Sequence, residues 1–297
     1  MRIGVDFGGT KIEAAAIADD GAFAARIREP NPGDYDAALR LVADLIARVE
    51  AEAGAARSVG LAIPGSPSPR TGLIRNANST YLNGRRLGED LEGVLGRPVR
   101  LANDANCLAL SEAVDGAGRG ATSVFGVILG TGCGGGLIID GRLIEGMHSV
   151  AAEIGHISLP WPAADEAPGP ACWCGLNGCL ETWVSGSGFQ RDHEATTGRA
   201  WKAQAVVEAA RTGDAGATEA LDRYIDRLGR MLAMVVNLID PEVLVLGGGM
   251  SNVGELYDRL PGIVGRYVFS DHWDGRIVAA QWGDSSGVRG AARLWAD

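Results

Sequence analysis

Three cysteines and a histidine near the middle of the chain have the types and spacing of metal ligands. His156 precedes Cys172, Cys174 and Cys179, and the cysteines follow a Cys-x-Cys-x4-Cys pattern. Thiolates and an imidazole at such short spacing are typical of a closed, four-coordinate zinc site. Because four protein ligands leave no coordination position open, the metal would brace the surrounding loop and would not activate water. We therefore predict a structural Zn²⁺ ion held by these four residues.

Two carboxylates are interleaved with these ligands. Glu153 precedes His156 by three positions, and Glu181 follows Cys179 by two. A loop braced by a metal would hold both carboxylates rigidly beside each other, which is the layout of a binding pocket. One alternative is a glycoside hydrolase that uses Glu153 and Glu181 as its acid and its nucleophile. That alternative leaves the glycine-rich loops of the chain without a role.

Three glycine-rich loops each follow an apolar, strand-like run. Backbone N–H groups bind phosphate oxygens only where the chain comes close to them, and glycine permits that approach. The first two loops lead into a further strand, whereas a Walker A loop or a Rossmann site leads into a helix. We therefore predict phosphate binding of another kind, with plain hairpin turns as the alternative. The loop residues are Gly8, Gly9, Thr10 and Lys11 in the first loop, Gly130, Thr131, Gly132 and Gly134 in the second, and Gly247, Gly248 and Gly249 in the third.

Two aspartates lie next to predicted strands. Asp6 directly precedes the first glycine-rich loop, where a carboxylate could hold Mg²⁺ through water beside the phosphates. Asn103 and Asp104 lie between a strand-like run at 99–102 and a helix-like run at 105–113. Asp104 is either the N-cap of that helix or a general base that accepts the proton of a sugar hydroxyl as its oxygen attacks phosphorus. In the second case Asn103 could hold the sugar by hydrogen bonds.

The elements that position these residues alternate between strands and helices. Apolar runs at 3–7 and 12–18 flank the first glycine-rich loop, and the same pattern of strand, loop and strand recurs at 124–139. Apolar residues fall at helical spacing at 39–49 and again at 218–238. The predicted class is therefore α/β, with an internal duplication.

A length of 297 residues is enough for two domains of ordinary size. The composition turns glycine-rich after Gly120, which suggests a boundary there. We predict an N-terminal α/β domain over 1–118, joined by a closing C-terminal helix over 287–297, and a C-terminal α/β domain over 119–286 that carries the zinc-binding loop. A stretch rich in Pro, Ala and acidic residues, 162–171, is predicted to be a surface loop.

The composition restricts the partners and the location. A formal charge of -10 without a cluster of Lys and Arg argues against a nucleic-acid partner. No apolar run approaches the roughly 18 residues of a membrane span, and no signal peptide precedes the first strand. We therefore expect a cytoplasmic protein that uses no membrane, with its cysteines kept as thiols or metal ligands. Cys107 and Cys133, which lie apart from the cluster, are expected to be packing residues.

Taken together, these motifs resemble the ROK family of sugar kinases and sugar-responsive repressors, which has the actin-like, ribonuclease-H-like ATPase fold with two domains and an interdomain cleft. The first and second glycine-rich loops resemble the phosphate loops of the family, and the third resembles its nucleotide-side loop. Asn103 and Asp104 match the sugar-binding Asn and the catalytic Asp of the family. Its paired signatures match Glu153-x-Gly155-His156 and Cys172-x-Cys174-Gly-x-x-Gly-Cys179-x-Glu181.

The resemblance implies a kinase that uses ATP and Mg²⁺ in the cleft, with Asp104 as the base. It further implies that Glu153, His156 and Glu181 contact sugar hydroxyls, that His156 also ligates zinc, and that the protein is a homodimer. Repressors of the family carry a DNA-binding helix-turn-helix before the first phosphate loop, which here begins at Asp6, so we expect an enzyme. A non-catalytic sugar-sensing protein is the alternative of another class.

Other segments resemble the bacterial fructokinase or manno(fructo)kinase branch of the family, and they add Gly65 and Asn78 as substrate-binding residues. We therefore predict phosphorylation of fructose or mannose at the 6-hydroxyl, with N-acetylglucosamine, N-acetylmannosamine or glucose as alternatives. The chain departs from the family at Ser149 and Ala152, where the family often has glycine just before Glu153. The segments that carry the branch resemblance are Pro64-Gly65-Ser66, Asn76-Ala77-Asn78-Ser79-Thr80, Leu82-Asn83-Gly84 and Gly283-Asp284-Ser285-Ser286-Gly287-Val288-Arg289-Gly290.

Overall fold

Two five-stranded sheets and their flanking helices make up the computed structural model, which describes residues 1–295. The strands are β1 (Arg2–Phe7), β2 (Lys11–Ile17), β3 (Phe23–Pro30), β4 (Val59–Ile63), β5 (Ser66–Pro67), β6 (Ile74–Arg75), β7 (Val99–Asn103), β8 (Ser123–Leu129), β9 (Cys133–Ile139), β10 (Arg142–Leu143), β11 (Val243–Gly247) and β12 (Arg276–Ala279). The helices are α1 (Tyr35–Ala53), α2 (Leu87–Leu95), α3 (Asp104–Asp115), α4 (Glu181–Val184), α5 (Gly186–Thr197), α6 (Ala203–Arg211), α7 (Ala215–Ile239), α8 (Glu255–Tyr267) and α9 (Ser286–Ala292).

The strand order of the first sheet is β3-β2-β1-β4-β7. β1 and β3 each pair antiparallel with β2, whereas β1, β4 and β7 run parallel. The second sheet has the order β10-β9-β8-β11-β12, in which β8, β11 and β12 run parallel and β9 pairs antiparallel with β10. Both sheets thus place an antiparallel hairpin beside parallel strands in the same chain order, which agrees with the predicted duplication.

Two compact units contain the described residues. The first consists of 1–120, 136–151 and the chain from Gln281 onward, and the second of 121–135 and 152–280. Residues 136–151, predicted from the sequence to belong to the C-terminal domain, lie in the first unit. The predicted C-terminal helix 287–297 corresponds to α9, which packs against β1 and α3 in the first unit. Residues 296 and 297 of that prediction lie outside the described residues.

In the first unit, α1 covers the sheet with the apolar face that its sequence spacing predicts. Leu39, Val42 and Leu45 on this face are buried in a core that includes Ile3 and Val5 of β1. The Asp34 side chain caps α1 by accepting a hydrogen bond of 2.9 Å from the N–H of Ala37, as an N-cap residue does. Burial of this face, rather than helix propensity alone, accounts for the stability of α1.

In the second unit, α7 is the long helix predicted at 218–238. It is slightly longer than predicted because Asp214 caps its start. The Asp214 side chain accepts a hydrogen bond of 2.9 Å from the N–H of Ala217. Asp240 ends it in the left-handed conformation, with a φ of 50°, immediately before Pro241. Strand β11 follows and is buried along its whole length, as a central parallel strand should be.

Several elements had no signal that we used in the sequence. The strands β3 and β12 and the helices α2, α5 and α6 were not predicted. Helix α5 illustrates the reason, because it begins with Gly186-Ser187-Gly188, which is typical of a loop, and few of its residues are apolar. Among residues 1–295, no helix is both long and apolar enough to cross a membrane.

Candidate active site

The first glycine-rich loop is the tight connection between β1 and β2. Phe7 pairs with Ile12 across the hairpin, so the loop projects from the end of both strands. A side chain at Gly8 would bring a Cβ within 2.9 Å of the Lys11 carbonyl oxygen, which explains why glycine is required there. The amide of Asn31 donates a hydrogen bond of 2.7 Å to the Gly8 carbonyl oxygen and fixes the loop from outside. The element after the loop is a strand, as predicted, which excludes a Walker A or Rossmann arrangement.

The second loop connects β8 to β9 in the same manner. The Gly130 N–H donates a hydrogen bond of 3.0 Å to the Gly132 carbonyl oxygen. The Gly130 carbonyl oxygen accepts a hydrogen bond of 2.7 Å from the N–H of Gly186, where α5 begins. A Cβ at Gly132 would lie 2.5 Å from Oε2 of Glu181. Glycine at that position therefore lets a carboxylate approach the loop.

The third loop follows β11 and packs against the end of β8. Gly248 has a φ of 82°, a left-handed conformation that favours glycine. A Cβ there would also come within 2.7 Å of the Leu129 carbonyl group. The close packing brings Gly249 of the third loop near the start of the second loop, and both loops border one cavity.

That cavity lies wholly in the second unit and has a volume of about 620 Å³. Gly130, Thr131 and Gly249 contribute backbone to its wall, and Val207 and Met250 contribute apolar surface. A nucleoside binds in pockets of this size and composition, with the glycine backbone toward its phosphates. The polar residues Gln190 of α5 and Gln204 of α6 also line it, and our sequence analysis missed them because it missed both helices.

In the first unit, two aspartates lie at the carboxyl edge of the parallel strands. Asp6 is in β1, and Asp104 follows β7, so both are at the same end of the sheet. Burial, and then the negative charges of Asp104 and Glu13, raise the pKa of Asp6 to about 7. A Cβ on Gly287 of α9 would lie 3.1 Å from an Asp6 carboxylate oxygen, so α9 closes one side of that carboxylate. A cation beside Asp6 would offset the repulsion between the carboxylates.

The N-cap of α3 is Asn103 and not Asp104. The Asn103 side-chain oxygen accepts 2.8 Å from the N–H of Ala105, and its amide donates 3.2 Å to the Gly65 carbonyl oxygen. Asp104 is the first residue of the helix, so the N-cap alternative for it was wrong. The carboxylate of Asp104 also accepts 2.8 Å from the Ala105 N–H, which orients it at the positive end of the helix.

The remaining predicted residues of the first unit are placed as follows. Gly65 has a φ of 73° and leaves no room for a side chain against the Ala77 N–H, at 2.7 Å. Asn78 is exposed in the loop after Ala77. The Lys11 ammonium group lies 3.9 Å from the Asp284 carboxylate and is partly exposed. The loop that carries Asp284 is held by the buried carboxylate of Glu112, which accepts hydrogen bonds from Gln281, Trp282 and Ser286.

The four predicted zinc ligands converge in the second unit. The Sγ atom of Cys172 lies 3.7 Å from Nδ1 of His156, that of Cys174 lies 3.6 Å from that of Cys179, and all four ligand atoms lie within 4.8 Å of one another. Ligands around a tetrahedral zinc ion with Zn–S bonds of about 2.3 Å are separated by about 3.8 Å, so the cluster has the size that zinc requires. Burial and the neighbouring thiols raise the pKa of the Cys179 thiol to about 12, and a bound cation would make it a thiolate.

The stretch 162–171 that precedes the cysteines is largely exposed, as predicted for a surface loop, and it is anchored at its centre. The Glu166 side chain is only 8% exposed, and it forms ion pairs of 2.8 Å with both Arg227 and Arg230 of α7. These hydrogen bonds lower the pKa of Glu166 to about 2 although its burial alone would raise it. These buried ion pairs thus attach the segment that precedes the cysteine cluster to α7, the long helix of the unit.

The two carboxylates near the cluster lie in turns that the second loop supports. Glu153 precedes a short turn over Ile154–His156, in which Gly155 packs closely against the Cys133 carbonyl oxygen. Glu181 is the first residue of α4, and its Oε2 atom accepts 3.1 Å from the Cys133 N–H. The structure therefore brings Glu181, His156 and the cysteine cluster together with the start of β9, in one unit.

Ser149 and Ala152, the two departures from the family pattern, both have left-handed backbone. Their φ angles are 50° and 64°. Glycine adopts such angles without cost, whereas other L-residues are strained there by roughly 1–2 kcal/mol. Such angles favour glycine, and this chain adopts them with Ser149 and Ala152. Cys107 and Cys133 are buried, as packing residues are.

Comparisons with known proteins give the chain a family. A family model described as "ROK family" matches residues 2–297. The chain is 42% identical, over 299 residues covering 99% of each protein, to the N-acetyl-D-glucosamine kinase of Aliivibrio salmonicida strain LFI1238. Among solved structures, it resembles the ROK hexokinase of Thermus thermophilus, with a TM-score of 0.88, 33% identity, and coverage of 98% of this chain and 96% of that one. It also resembles a ROK family glucokinase of Streptomyces griseus in complex with glucose and AMPPNP, with a TM-score of 0.81, 31% identity, and coverage of 99% and 98%.

Proposed function

The chain belongs to the ROK family and is a sugar kinase with the actin-like ATPase fold, and we propose that it transfers the γ-phosphoryl group of ATP to the 6-hydroxyl of N-acetyl-D-glucosamine. The observation that supports this sugar is the 42% identity, over 99% of both chains, to a protein named N-acetyl-D-glucosamine kinase.

The prediction of fructose or mannose receives no support from these relatives. Several of the segments on which it rested lie in tight turns, such as the one around Gly65, whose glycine is required by the backbone. Such motifs report the conformation of a loop, and they do not report which substituent the sugar carries at its second carbon. The assignment of N-acetylglucosamine, one of the alternatives, is therefore the better proposal.

The proposed reaction assigns the proton transfer to Asp104. The oxygen of the 6-hydroxyl attacks the γ-phosphorus, the bond from that phosphorus to the bridging oxygen breaks, ADP leaves, and the hydroxyl proton goes to the Asp104 carboxylate. The hydrogen bond from the Ala105 N–H orients this carboxylate, and Asn103 sets its place by capping α3. Asn103 itself keeps one side-chain hydrogen bond to Gly65, so a sugar would meet a side chain that is already positioned.

Mg²⁺ and zinc have separate sites in this proposal. Asp6, whose pKa lies near neutrality because of burial and its acidic neighbours, would hold Mg²⁺ through water. When bound, Mg²⁺ neutralises the phosphate charge that develops during transfer. His156 and the three cysteines would bind structural zinc, since their spacing suits a tetrahedral ion. Nδ1 of His156 faces the cluster. The N–H group at Nε2 would therefore be the one that donates a hydrogen bond to a sugar hydroxyl.

The ATP site of the proposal is the cavity of the second unit. The second and third glycine-rich loops supply N–H groups for the phosphates, and the apolar walls at Val207 and Met250 suit a purine base.

We also propose a homodimer, which would cover the apolar side chains of Leu238 and Phe269, 72% and 99% exposed. Light scattering that returns the mass of one 30.8 kDa chain would contradict the dimer.

Asp104→Asn tests the reaction itself. The amide has the shape of the carboxylate but cannot accept the proton, so kcat with N-acetylglucosamine should fall by at least about a hundredfold. Sugar binding should persist, because a neutral amide still forms hydrogen bonds. ADP release measures the first quantity and calorimetric titration with the sugar measures the second. A variant with near-normal turnover would refute Asp104 as the base.

A further inference from the structure

Trp173 is a large aromatic residue between two zinc-cluster cysteines, and the sequence analysis gave it no role. Its side chain is 65% exposed. The indole ring contacts the His156 ring edge-on, with 4.9 Å between the ring centroids. Its Nε1 atom donates a hydrogen bond of 2.7 Å to Oε1 of Glu181. The indole thus contacts His156 and Glu181, two of the residues that the family resemblance implies as sugar-binding groups.

The Glu181 carboxylate links two segments of the second unit. Oε1 accepts from Trp173 in the zinc loop, and Oε2 accepts from the N–H of Cys133 at the start of β9. The absence of a side chain at Gly132 leaves space for the carboxylate, since a Cβ there would lie 2.5 Å from Oε2. With one donor on each oxygen, the carboxylate is held in a single orientation.

We propose that Trp173 is a positioning residue for sugar binding: its indole N–H holds Glu181 in the orientation in which the remaining lone pairs of the carboxylate accept hydrogen bonds from sugar hydroxyls. This inference rests on the proposed function, because it takes Glu181 as a sugar-binding group. Without the indole N–H, the donor that Glu181 keeps among residues 1–295 is the N–H of Cys133, and its carboxylate can rotate about the side-chain bonds. Binding the sugar then requires that the carboxylate be ordered again, which weakens binding.

The indole also couples the zinc loop to the second phosphate loop. Proposed zinc ligands lie on both sides of Trp173, and a bound zinc ion would fix the backbone from which the indole projects. Glu181, held by the indole, in turn accepts a hydrogen bond from the N–H of Cys133, next to Gly132. The same carboxylate therefore depends on the cluster on one side and supports the loop on the other.

The variant Trp173→Phe removes the N–H donor and keeps an aromatic ring against His156. The matched control is Trp161→Phe, because Trp161 is another exposed tryptophan of the second unit whose ring stacks on Tyr267, at 4.9 Å. Both variants are first checked for zinc by elemental analysis. Initial rates of ADP release with N-acetylglucosamine and ATP then give KM for each substrate and kcat.

We expect Trp173→Phe to raise KM for the sugar about tenfold, the usual effect of losing a hydrogen bond to a charged group. Both kcat and the zinc content should stay within about twofold, KM for ATP should change less than KM for the sugar because only one hydrogen bond to the second loop is loosened, and Trp161→Phe should match the wild type. A sugar KM within twofold of the wild type would overturn the proposal. Loss of zinc from Trp173→Phe would also overturn it, because the tryptophan would then act through the metal.

A second readout needs no activity. Hydrogen exchange of the zinc-loaded proteins, followed by mass spectrometry, reports on the peptide that spans Cys133. Its amide should exchange several-fold faster in Trp173→Phe than in the wild type or in Trp161→Phe, because a mobile Glu181 no longer protects it. Unchanged exchange would refute the coupling. If the wild type phosphorylates no sugar but the exchange difference is present, the proposed function fails and the hold of Trp173 on Glu181 stands.

Discussion

Asp6 and Asp104 are acidic residues at the same edge of one sheet, but their surroundings suit them to different tasks. Asp6 is largely buried in β1 among like charges, which raises its pKa to about 7. Asp104 begins a helix and accepts a hydrogen bond from a backbone N–H, which orients its carboxylate. A carboxyl group whose pKa lies near 7 readily loses its proton when a cation binds beside it. A carboxylate that is oriented by a helix is available as a base. These environments support Mg²⁺ at the first residue and proton transfer at the second.

The raised pKa of Asp6 predicts a pH-dependent stability in the absence of Mg²⁺. Between about pH 4 and pH 7 the folded chain keeps a proton on Asp6 that the unfolded chain has lost, so the stability contributed by this group falls as the pH rises through that window. The side chain of Asp6→Asn does not titrate. The free energy of unfolding of this variant, relative to that of the wild type, should therefore rise by about 1.4 kcal/mol per pH unit in this window. Urea unfolding in chelator at several pH values measures the difference.

The control for this titration is Asp36→Asn, which removes an exposed carboxylate from the first turn of α1. Its difference from the wild type should not change over the same pH window. If the difference between Asp6→Asn and the wild type is the same at pH 5 and pH 8, then Asp6 does not have the raised pKa.

At the scale of elements, the loop that carries the four candidate zinc ligands has two supports, a proposed metal ion and a set of buried ion pairs. A zinc ion would join His156 to the three cysteines, and Glu166 fixes the preceding segment to α7 through Arg227 and Arg230. Because this glutamate is buried with its partners, removing its charge takes one counter-ion from each of two buried arginines, which keep Asp192 and Asp226 as their other acidic partners. The loop and the helix should therefore respond together to changes at Glu166.

Glu166→Gln should lower the free energy of unfolding by about 3 kcal/mol at pH 7, the cost of breaking a buried ion pair. Asp165→Asn, a change at the exposed neighbour, should have little effect. The lowered pKa of Glu166 means that its contribution is present above about pH 4.5 and is lost as the pH falls toward 2. Guanidinium unfolding at pH 7 and pH 3 tests both statements. Equal stability of the two variants at pH 7 would show that the ion pairs do not anchor the loop.

Cys174→Ser should remove zinc from the protein. Cys174 is the exposed member of the cluster, so the substitution creates no cavity in the core. We expect about one zinc per chain in the wild type and a small fraction of that in the variant by elemental analysis, with a rise in KM for the sugar. Cys107→Ala changes a buried cysteine outside the cluster and should leave the metal content unchanged. A wild type that folds and turns over without zinc would contradict the site.

Sequence patterns predicted the elements and residues whose signals are local. The glycines of the three loops, the apolar face of α7 and the spacing of the zinc cysteines each follow from short-range geometry. Helix α5 escaped prediction because its Gly-Ser-Gly start reads as a loop and tertiary packing against α7 stabilises it. Trp173 escaped because its role depends on a hydrogen bond to Glu181, which no spacing rule indicates. The ion pairs of Glu166 join segments about 60 residues apart, and such long-range partners cannot be read from one sequence.

At the scale of the whole molecule, the chain belongs to the ROK family and shares the fold of its sugar kinases. The full-length match to an N-acetyl-D-glucosamine kinase and the likeness to a ROK glucokinase leave the preferred sugar as the main point to be measured. With a formal charge of -10, we expect the proposed binding of the anionic ATP to rely on local groups, such as the glycine-rich loops and a cation, and not on a broad basic surface.

The most direct test is a competition between sugars. The zinc-loaded protein is mixed with Mg²⁺, equal concentrations of N-acetylglucosamine, glucose, mannose and fructose, and a limiting amount of ATP, and the phosphorylated products are quantified by chromatography and mass spectrometry. Because the ratio of products in such a mixture equals the ratio of kcat/KM values, it reports specificity without separate titrations. We predict that N-acetylglucosamine 6-phosphate is the main product. A mixture dominated by fructose or mannose phosphate, or no sugar phosphate at all, would contradict the account.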